Sequence, residues 1–600
     1  MKNLGLVILC LVCFVLLWEP AWLIQSLMRF GQFDVVRQYN TNGFGSIVTA
    51  MWRNPDAKAI AITTTLSAAI AAGIGVFLLM QTNRQTGARF MATGEAASAD
   101  FFGRSGLFFG RFGGIFVPVP WRSFRDPRTG KRKLSRMLVG GRKLFYPSNG
   151  HAFVIGPPAS GKGASLIIPN MLTWENSAIV LDIRGETFDA TAGYRDKVLN
   201  SRVYRFAPLS ETTDAYNPLE YVRDVPGQRE QDITEIAEAL IPSQPGEKPY
   251  WIQDARQLMS GVISLVLEDA RIALKDKNIG TCMDILQSRE DPRENLKKIT
   301  NKAVFSYFTD RQLGSFQTMA KEQFSGVYSN MRVALRPYLN PLILNATSRN
   351  TFDLRRFKSH NQTLYIDFRM AQVETIAPLA NLLLSQSVKY LGDTMLQPNE
   401  RPVLMLLDEF SNLGRLQPLL TMFKALGGYG VAVWIFVQSI ADLDAAYGRD
   451  GRSTLLDSSD LQIFLGASNP VSLRHFEELL GKKIVTIQSK TAGAGFSTGA
   501  SVQSRETMAP LMSTDELRQL SFDKAVILPR GLRPILATRN FFFSDPALLR
   551  RSRLVDAGAV HIPTLTRRTT GKDDFHVQNV ELPDPRPVSD DAASLTGRTA

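Results

Sequence analysis

The short apolar run His151-Ala152-Phe153-Val154-Ile155 leads directly into Gly156-Pro157-Pro158-Ala159-Ser160-Gly161-Lys162-Gly163. Few folds accept a buried strand that ends in a glycine turn and a lysine and runs on into a helix. Glycines let consecutive backbone N–H groups converge on an anion, and the positive end of the following helix strengthens the field there. The lysine then reaches the outer phosphates of a nucleoside triphosphate. Pro157 and Pro158 have no N–H, but they occupy the first half of the turn, so the donors run from Ala159 onward. The phosphate-binding set is therefore Gly156, Ala159, Ser160, Gly161, Lys162, Gly163 and Ala164. Gly163 stands where a Ser or Thr ordinarily ligates magnesium, which leaves that role to Ser160, to Ser165 or to a water.

A second run, Val403-Leu404-Met405-Leu406-Leu407, ends in Asp408-Glu409. It reads as a fully buried strand delivering two carboxylates: Asp408 to hold Mg2+ through water, Glu409 to polarise the attacking water. The two motifs together predict ATP and Mg2+ as cofactors and hydrolysis of ATP to ADP and phosphate as the reaction. Further apolar runs at 177–181 (ending in Asp182), 363–368, 431–437 (ending in Gln438) and 461–465 suggest a parallel sheet with ligands at the carboxyl ends of its strands. Gln438 closes the strand after the acidic pair and is placed to sense the γ-phosphate.

The 600-residue length gives room for several domains, and a chain 44% hydrophobic and 21% charged is not wholesale disordered. Three cysteines make no disulfide framework, and two of them, Cys10 and Cys13, lie inside an apolar run, so a reducing compartment fits. The five histidines never fall in a ligand-like pair, so a dedicated zinc or haem site is not expected. A net charge of +13 points to phosphate-rich partners, either nucleic acid or anionic lipid.

Residues 4–18 are uncharged and would extend about 22 Å as a helix. The flank Glu19-Pro20-Ala21-Trp22 offers no small-x-small cleavage site, so this run reads as a retained anchor rather than a secretory signal. Residues 59–80, also uncharged, would extend about 33 Å and span a bilayer unaided. Two spans predict a transmembrane hairpin. The flanking cations nearly tie, with Arg29, Arg37, Arg53 and Lys58 in the loop against Arg84, Arg89, Arg104 and Arg111 beyond, so orientation follows from what the body does. Between the second span and the glycine turn, residues 122–143 carry nine cations against Asp126 alone. Lipid headgroups are the plainest partner, at about 1 kcal/mol per cation near an anionic leaflet, and DNA phosphates the alternative. Helical spacing through 231–350, clearest in Ile252, Ala255, Leu258, Met259, Val262, Ile263, Val266 and Leu267, predicts an all-α region. After Val560 the chain turns polar without periodicity, as in a disordered tail.

His151 before GPPASGKG, SAIVLDIRGE (177–186), YNPL (216–219), DEFSNLG (408–414), GGYGV (427–431) and Gln438-Ser439 occur here in the order in which they resemble the type IV secretion coupling proteins, the TraG-like conjugation ATPases. The resemblance implies an α/β, RecA-like P-loop motor domain with an inserted all-α domain, anchored by an N-terminal two-helix transmembrane hairpin. The corresponding divisions are 1–90 for the hairpin with a short periplasmic loop, 91–230 and 351–560 for the discontinuous motor, 231–350 for the insert and 561–600 for the tail. It further implies a multi-pass protein of the bacterial inner membrane with its bulk in the cytoplasm, assembled as a homo-hexamer. Its implied partners are DNA, relaxase or other nucleoprotein cargo, effector proteins, and components of a type IV secretion channel. Glycine after the P-loop lysine is common in that family. Some members place an arginine before the glycine-rich turn, where it reaches a neighbouring subunit's nucleotide; the ungapped position here is Gly427, and Lys424 is the nearest cation. Two rival readings differ in kind. A nucleotide-gated receptor without turnover is suggested by Gly163 and the missing arginine, and a chromosomal DNA translocase of the cell-division type would usually carry more spans and a winged DNA-reading domain.

Overall fold

The computed structural model describes residues 87–103, 105–125, 132–147, 149–242, 249–287, 291–491 and 501–565. The chain enters through β1 (Leu107–Phe112), β2 (Ile115–Arg125), β3 (Arg132–Val139) and β4 (Arg142–Tyr146), then runs along β5 (Ala152–Ile155) into the glycine turn. A π-turn (Gly163–Ile167) and the short helix α1 (Ile168–Thr173) follow. Next come β6 (Ser177–Asp182), α2 (Glu186–Lys197) and β7 (Arg202–Phe206). Each of the apolar runs picked out above is a strand: β6, β8 (Gln362–Asp367), β9 (Val403–Leu407), β10 (Val431–Val437) and β11 (Leu461–Phe464). Every residue of β5, β8, β9 and β10 is buried, because helices cover both faces of a parallel sheet.

One sheet of eleven strands results, in the order β4-β1-β15-β14-β11-β5-β10-β9-β6-β8-β7, with β14 spanning Lys524–Pro529 and β15 Ile535–Thr538. From β11 to β7 all neighbours are parallel. The other four strands are antiparallel, so the sheet is mixed rather than parallel throughout. The connection from β14 to β15 is too short for a crossover and allows only an antiparallel return.

Between β7 and β8 the described residues hold seven α-helices and no strand: α3 (Gln228–Leu240), α4 (Pro249–Glu268), α5 (Ile279–Leu286), α6 (Pro292–Thr300), α7 (Tyr307–Thr318), α8 (Lys321–Leu335) and α9 (Pro341–Ala346). α4 is central and packs against α3, α5, α7 and α8 through Ile252, Ala255, Leu258, Met259, Val262, Ile263 and Val266, all buried. The YNPL segment roots this excursion. Tyr216 N–H donates to Ala346 O (2.7 Å), Asn217 N–H to Asn350 Oδ1 (2.7 Å), and the Tyr216 hydroxyl to Gln386 Oε1 (2.5 Å), so entering and leaving chains hold each other.

Arg195 fixes the helix behind the glycine turn. Fully buried on α2, it donates to the carbonyls of Met171, Trp174 and Asn176 and to Thr363 Oγ1, all within 3.0 Å. It thereby satisfies orphan carbonyls at the C-terminal end of α1 and meets the negative end of the helix dipole with a cation. Burial lowers its pKa to about 10, so the charge persists at neutral pH.

The described part of a second unit is the hairpin of β12 (Lys482–Thr491) and β13 (Ser501–Pro510), with Ala88 N–H donating to Lys482 O (2.8 Å). Among the described residues no helix is long and apolar enough to cross a membrane. The two proposed spans and the tail beyond residue 565 lie outside the described residues.

Candidate functional site

Gly156 N–H donates to Val437 O (3.1 Å), which ties the turn to the end of β10. A Cβ there would lie 2.6 Å from Ser160 Oγ and would push that hydroxyl aside. Ala159 (φ 57°) and Gly161 (φ 82°) are both left-handed. That interruption of right-handed backbone is how successive N–H groups come to face one point, as an anion nest requires. After Lys162 the π-turn resets the helix, and the Ser165 hydroxyl donates to Gly161 O (2.8 Å).

β10 lies between β5 and β9, so two strand spacings of about 4.8 Å separate the lysine from the acids. Side chains close that gap. Lys162 Nζ sits 3.1 Å from Glu409 Oε1 and 3.6 Å from Asp408 Oδ1. Gln438, at the end of the intervening strand, donates Nε2 to Glu409 Oε2 (2.8 Å). The structure thus brings together Lys162, Asp408, Glu409 and Gln438. Glu409 is buried and adopts a left-handed backbone (φ 50°, ψ 39°), a conformation that costs a non-glycine residue about 1–3 kcal/mol and recurs at functional sites. The Asp408 carboxyl is pushed above its ordinary range by burial, a shift that Lys162 opposes and Glu409 reinforces.

Of the hydroxyls offered by the sequence for magnesium, Ser165 Oγ already donates to Gly161 O and accepts from Arg539 Nη2 (2.9 Å). Ser160 Oγ is buried without a hydrogen-bond partner. No group of three or more His, Cys, Asp or Glu side chains among the described residues could cage a metal. A Mg2+ ion here would share Asp408 and Ser160 with phosphate oxygens, and the orphaned Ser160 hydroxyl beside the nest fits that arrangement.

Lys424 does not join the cluster. It is exposed near the C-terminal end of α10 (Gln417–Leu426), whose Phe423 ring packs on the His151 ring (4.6 Å) at the amino end of β5, opposite the glycine turn. His151 itself is structural in this position. Its Nδ1 accepts Val433 N–H (3.1 Å), and burial lowers its pKa to about 4, so it is neutral.

Two cations near the turn were not assigned from sequence. Arg184, two residues beyond β6, adds positive potential at Asp408, and its place beside β9 in the sheet was the available signal. Arg539, just after β15, is buried with Nη2 on Ser165 and Nη1 on Phe522 O (3.0 Å). No local pattern marks Arg539, because only the antiparallel edge of the sheet brings it to the turn.

A glycine-lysine turn after one strand, an acidic pair two strands away and a glutamine on the strand between define a P-loop protein of the RecA-like motor class. The chain belongs to the family of type IV secretory system conjugative DNA transfer proteins, whose family model matches residues 122–580, and is thus a type IV coupling protein. It is 27% identical over 429 residues to Protein VirD4 of Rhizobium rhizogenes, covering 70% of this chain and 62% of that one. It is 26% identical over 452 residues to the conjugal transfer protein TraG of Escherichia coli, covering 69% and 70%. The chain spans about three fifths of the length of the VirD4 relatives it matches. Among solved structures, the conjugative coupling protein TrwBdeltaN70 in its unbound form shares the fold, with TM-score 0.52, 17% identity and coverage of 72% of this chain and 96% of that one. TrwB has also been solved in complex with ADP and Mg2+ (TM-score 0.51, 16% identity).

Proposed function

We propose that this chain is an inner-membrane ATPase that recruits DNA or nucleoprotein, and effector proteins where the system exports them, to a type IV secretion channel. A transmembrane hairpin within residues 1–90 anchors it, with the motor in 91–230 and 351–560, the all-α domain in 231–350, and a homo-hexameric ring as the working form. The reading rests chiefly on one observation: Lys162, Glu409 and Gln438 are joined at the carboxyl ends of β5, β9 and β10 beside a glycine turn built as an anion nest.

Lys162 is here neutralised by Glu409 and Asp408. On nucleotide binding it exchanges these carboxylates for phosphate oxygens, and that exchange frees Glu409 Oε1 to polarise water. Gln438, already on Glu409 Oε2, orients the carboxylate and reports its state. Bound Mg2+ supplies charge neutralisation of the transferring phosphoryl group. Ser160 replaces the hydroxyl absent at Gly163. The basic segment 122–143 faces lipid headgroups, a role supported by the β2–β3 hairpin that carries most of it. One face of that hairpin leaves Ile115, Val117, Met137 and Val139 exposed.

The experiment is a comparison of ATP binding and phosphate release in Lys162→Ala and Glu409→Gln. Lys162→Ala is expected to lose both, together with cargo transfer, while membrane insertion is unchanged. Glu409→Gln is expected to keep binding and lose turnover by about 10²-fold or more, the scale of a displaced general base. Equal loss of binding and turnover in Glu409→Gln would make that residue structural. Wild-type chain that binds ATP without cargo-stimulated phosphate release would favour the non-hydrolysing receptor, the reading suggested by Gly163.

A further inference from the structure

An aromatic stack stands beside the glycine turn and is not used by the phosphate chemistry. Phe522 and Phe541 lie nearly parallel, with ring centroids 5.1 Å apart and planes 8° apart, and Phe541 stacks in turn on Phe543 (5.4 Å, 15°). The Arg539 guanidinium lies 5.0 Å from the Phe522 ring centre and 4.9 Å from that of Phe541. The stack touches the turn itself. A Cβ on Gly161 would be 3.1 Å from Phe541 Cε1 and 3.4 Å from Phe522 Cζ, whereas a Cβ on Gly163 would meet nothing within 4 Å. Phe541 is 4% exposed, but Phe522 is 56% exposed. Packing accounts for Phe541. It does not account for an aromatic ring presented to water beside Gly161, at the edge of a phosphate nest.

We infer that Phe522 is the stacking platform for the purine base of the nucleotide. This inference rests on the nucleotide-binding reading of the turn. The phosphates are fixed by the nest at Ala159 to Gly163, and Phe522 presents an exposed ring beside that nest on which a base can lie. Arg539 is a positioning residue: it holds Phe522 through the hydrogen bond to its carbonyl and braces both rings from behind. A base held by its face is read for its π-surface and not for its hydrogen-bonding edge, so adenine and guanine are accepted about equally.

The test uses the full chain in detergent with Mg2+ and compares equilibrium binding of ATP, GTP and inorganic tripolyphosphate. Wild type is expected to bind ATP and GTP within about threefold of each other, because stacking is tolerant of base identity. Phe522→Ala is expected to weaken both by roughly tenfold, the usual scale of one lost base stack, and to leave tripolyphosphate binding unchanged. Phe522→Trp restores ATP binding. If Phe522→Ala weakens tripolyphosphate as much as ATP, the ring merely props the turn and the inference is wrong. An unchanged ATP affinity also overturns it. Wild type binding neither ATP nor tripolyphosphate overturns the nucleotide reading itself, a result distinct from either.

Discussion

Asp545 illustrates how one carboxylate can hold a corner of the fold by charge. Its oxygens accept from Arg111 Nη2 (2.8 Å), Asn540 Nδ2 (3.1 Å) and the backbone N–H groups of Ala547 and Leu548, and Lys143 Nζ lies 3.2 Å away. Burial alone would raise its pKa, but Lys143, Asn540 and Arg111 overcome that and bring it to about 2. A carboxyl whose folded pKa lies below its unfolded value near 4 stabilises the protein above that value and ceases to do so as pH falls through the folded one. Asp545→Asn should therefore cost about 2–3 kcal/mol at pH 7, with the gap closing between about pH 4 and pH 2. Urea midpoints of both proteins across that range measure it, and a gap that does not change with pH would assign the cost to helix capping instead. The functional residues differ in how legible they were. Asp408, Glu409 and Gln438 follow directly on apolar runs and Lys162 closes the glycine turn after one, so their local context showed both strand and direction. Arg539 and Phe522 gave no such signal, because their place beside Gly161 depends on the pairing of β14, β15 and β11.

The same contrast holds for elements. β5, β6 and β8 to β11 are visible in the sequence because burial makes them mostly apolar, unbroken in β5, β9 and β10 and interrupted by polar residues such as Thr363 in β8 and Gln462 in β11, and α4 because its buried positions keep a period near 3.6. The antiparallel edge is not visible. β1 contains Gly110 and Arg111 and is bulged against β4, and β2 contains Pro118, so neither shows clean alternation. The β2–β3 hairpin has a clear division of labour once its register is known. Leu138 is buried and its N–H donates to Ser544 O (3.0 Å), while the cross-strand pairs Ile115 with Val139 and Val117 with Met137 are exposed. If this apolar face and the basic residues of 122–143 meet a membrane, an environment-sensitive label at Val117→Cys in the vesicle-reconstituted full chain should shift to the blue with anionic lipid. It should revert in about 1 M salt, where the Debye length falls to about 3 Å. Identical emission in neutral and anionic vesicles would assign the patch to a protein neighbour.

At the scale of the whole molecule, one copy of the chain assembles lysine, acidic pair and glutamine but leaves Lys424 at the far ends of the strands from its own glycine turn. A cation supplied from outside a P-loop site is worth about 10³ to 10⁵ in rate where one exists. Lys424 is exposed and cannot serve its own subunit, so in the proposed ring its charge is available only to a neighbour. Lysine lacks the planar fork of arginine and clamps a phosphoryl group less well, which sets the expected gain at the lower end of that range. Lys424→Ala should leave nucleotide binding by dispersed subunits unchanged and lower turnover in the assembled form. Mixing Lys424→Ala subunits into wild type should then reduce activity more than in proportion, because each altered subunit disables a neighbour's site rather than its own. The decisive measurement is phosphate release per wild-type subunit across mixing ratios and protein concentrations. A rate that ignores both would make each site self-sufficient. An assembled rate unchanged by Lys424→Ala would keep the ring and move the external charge to another exposed cation, Arg415 or Arg474.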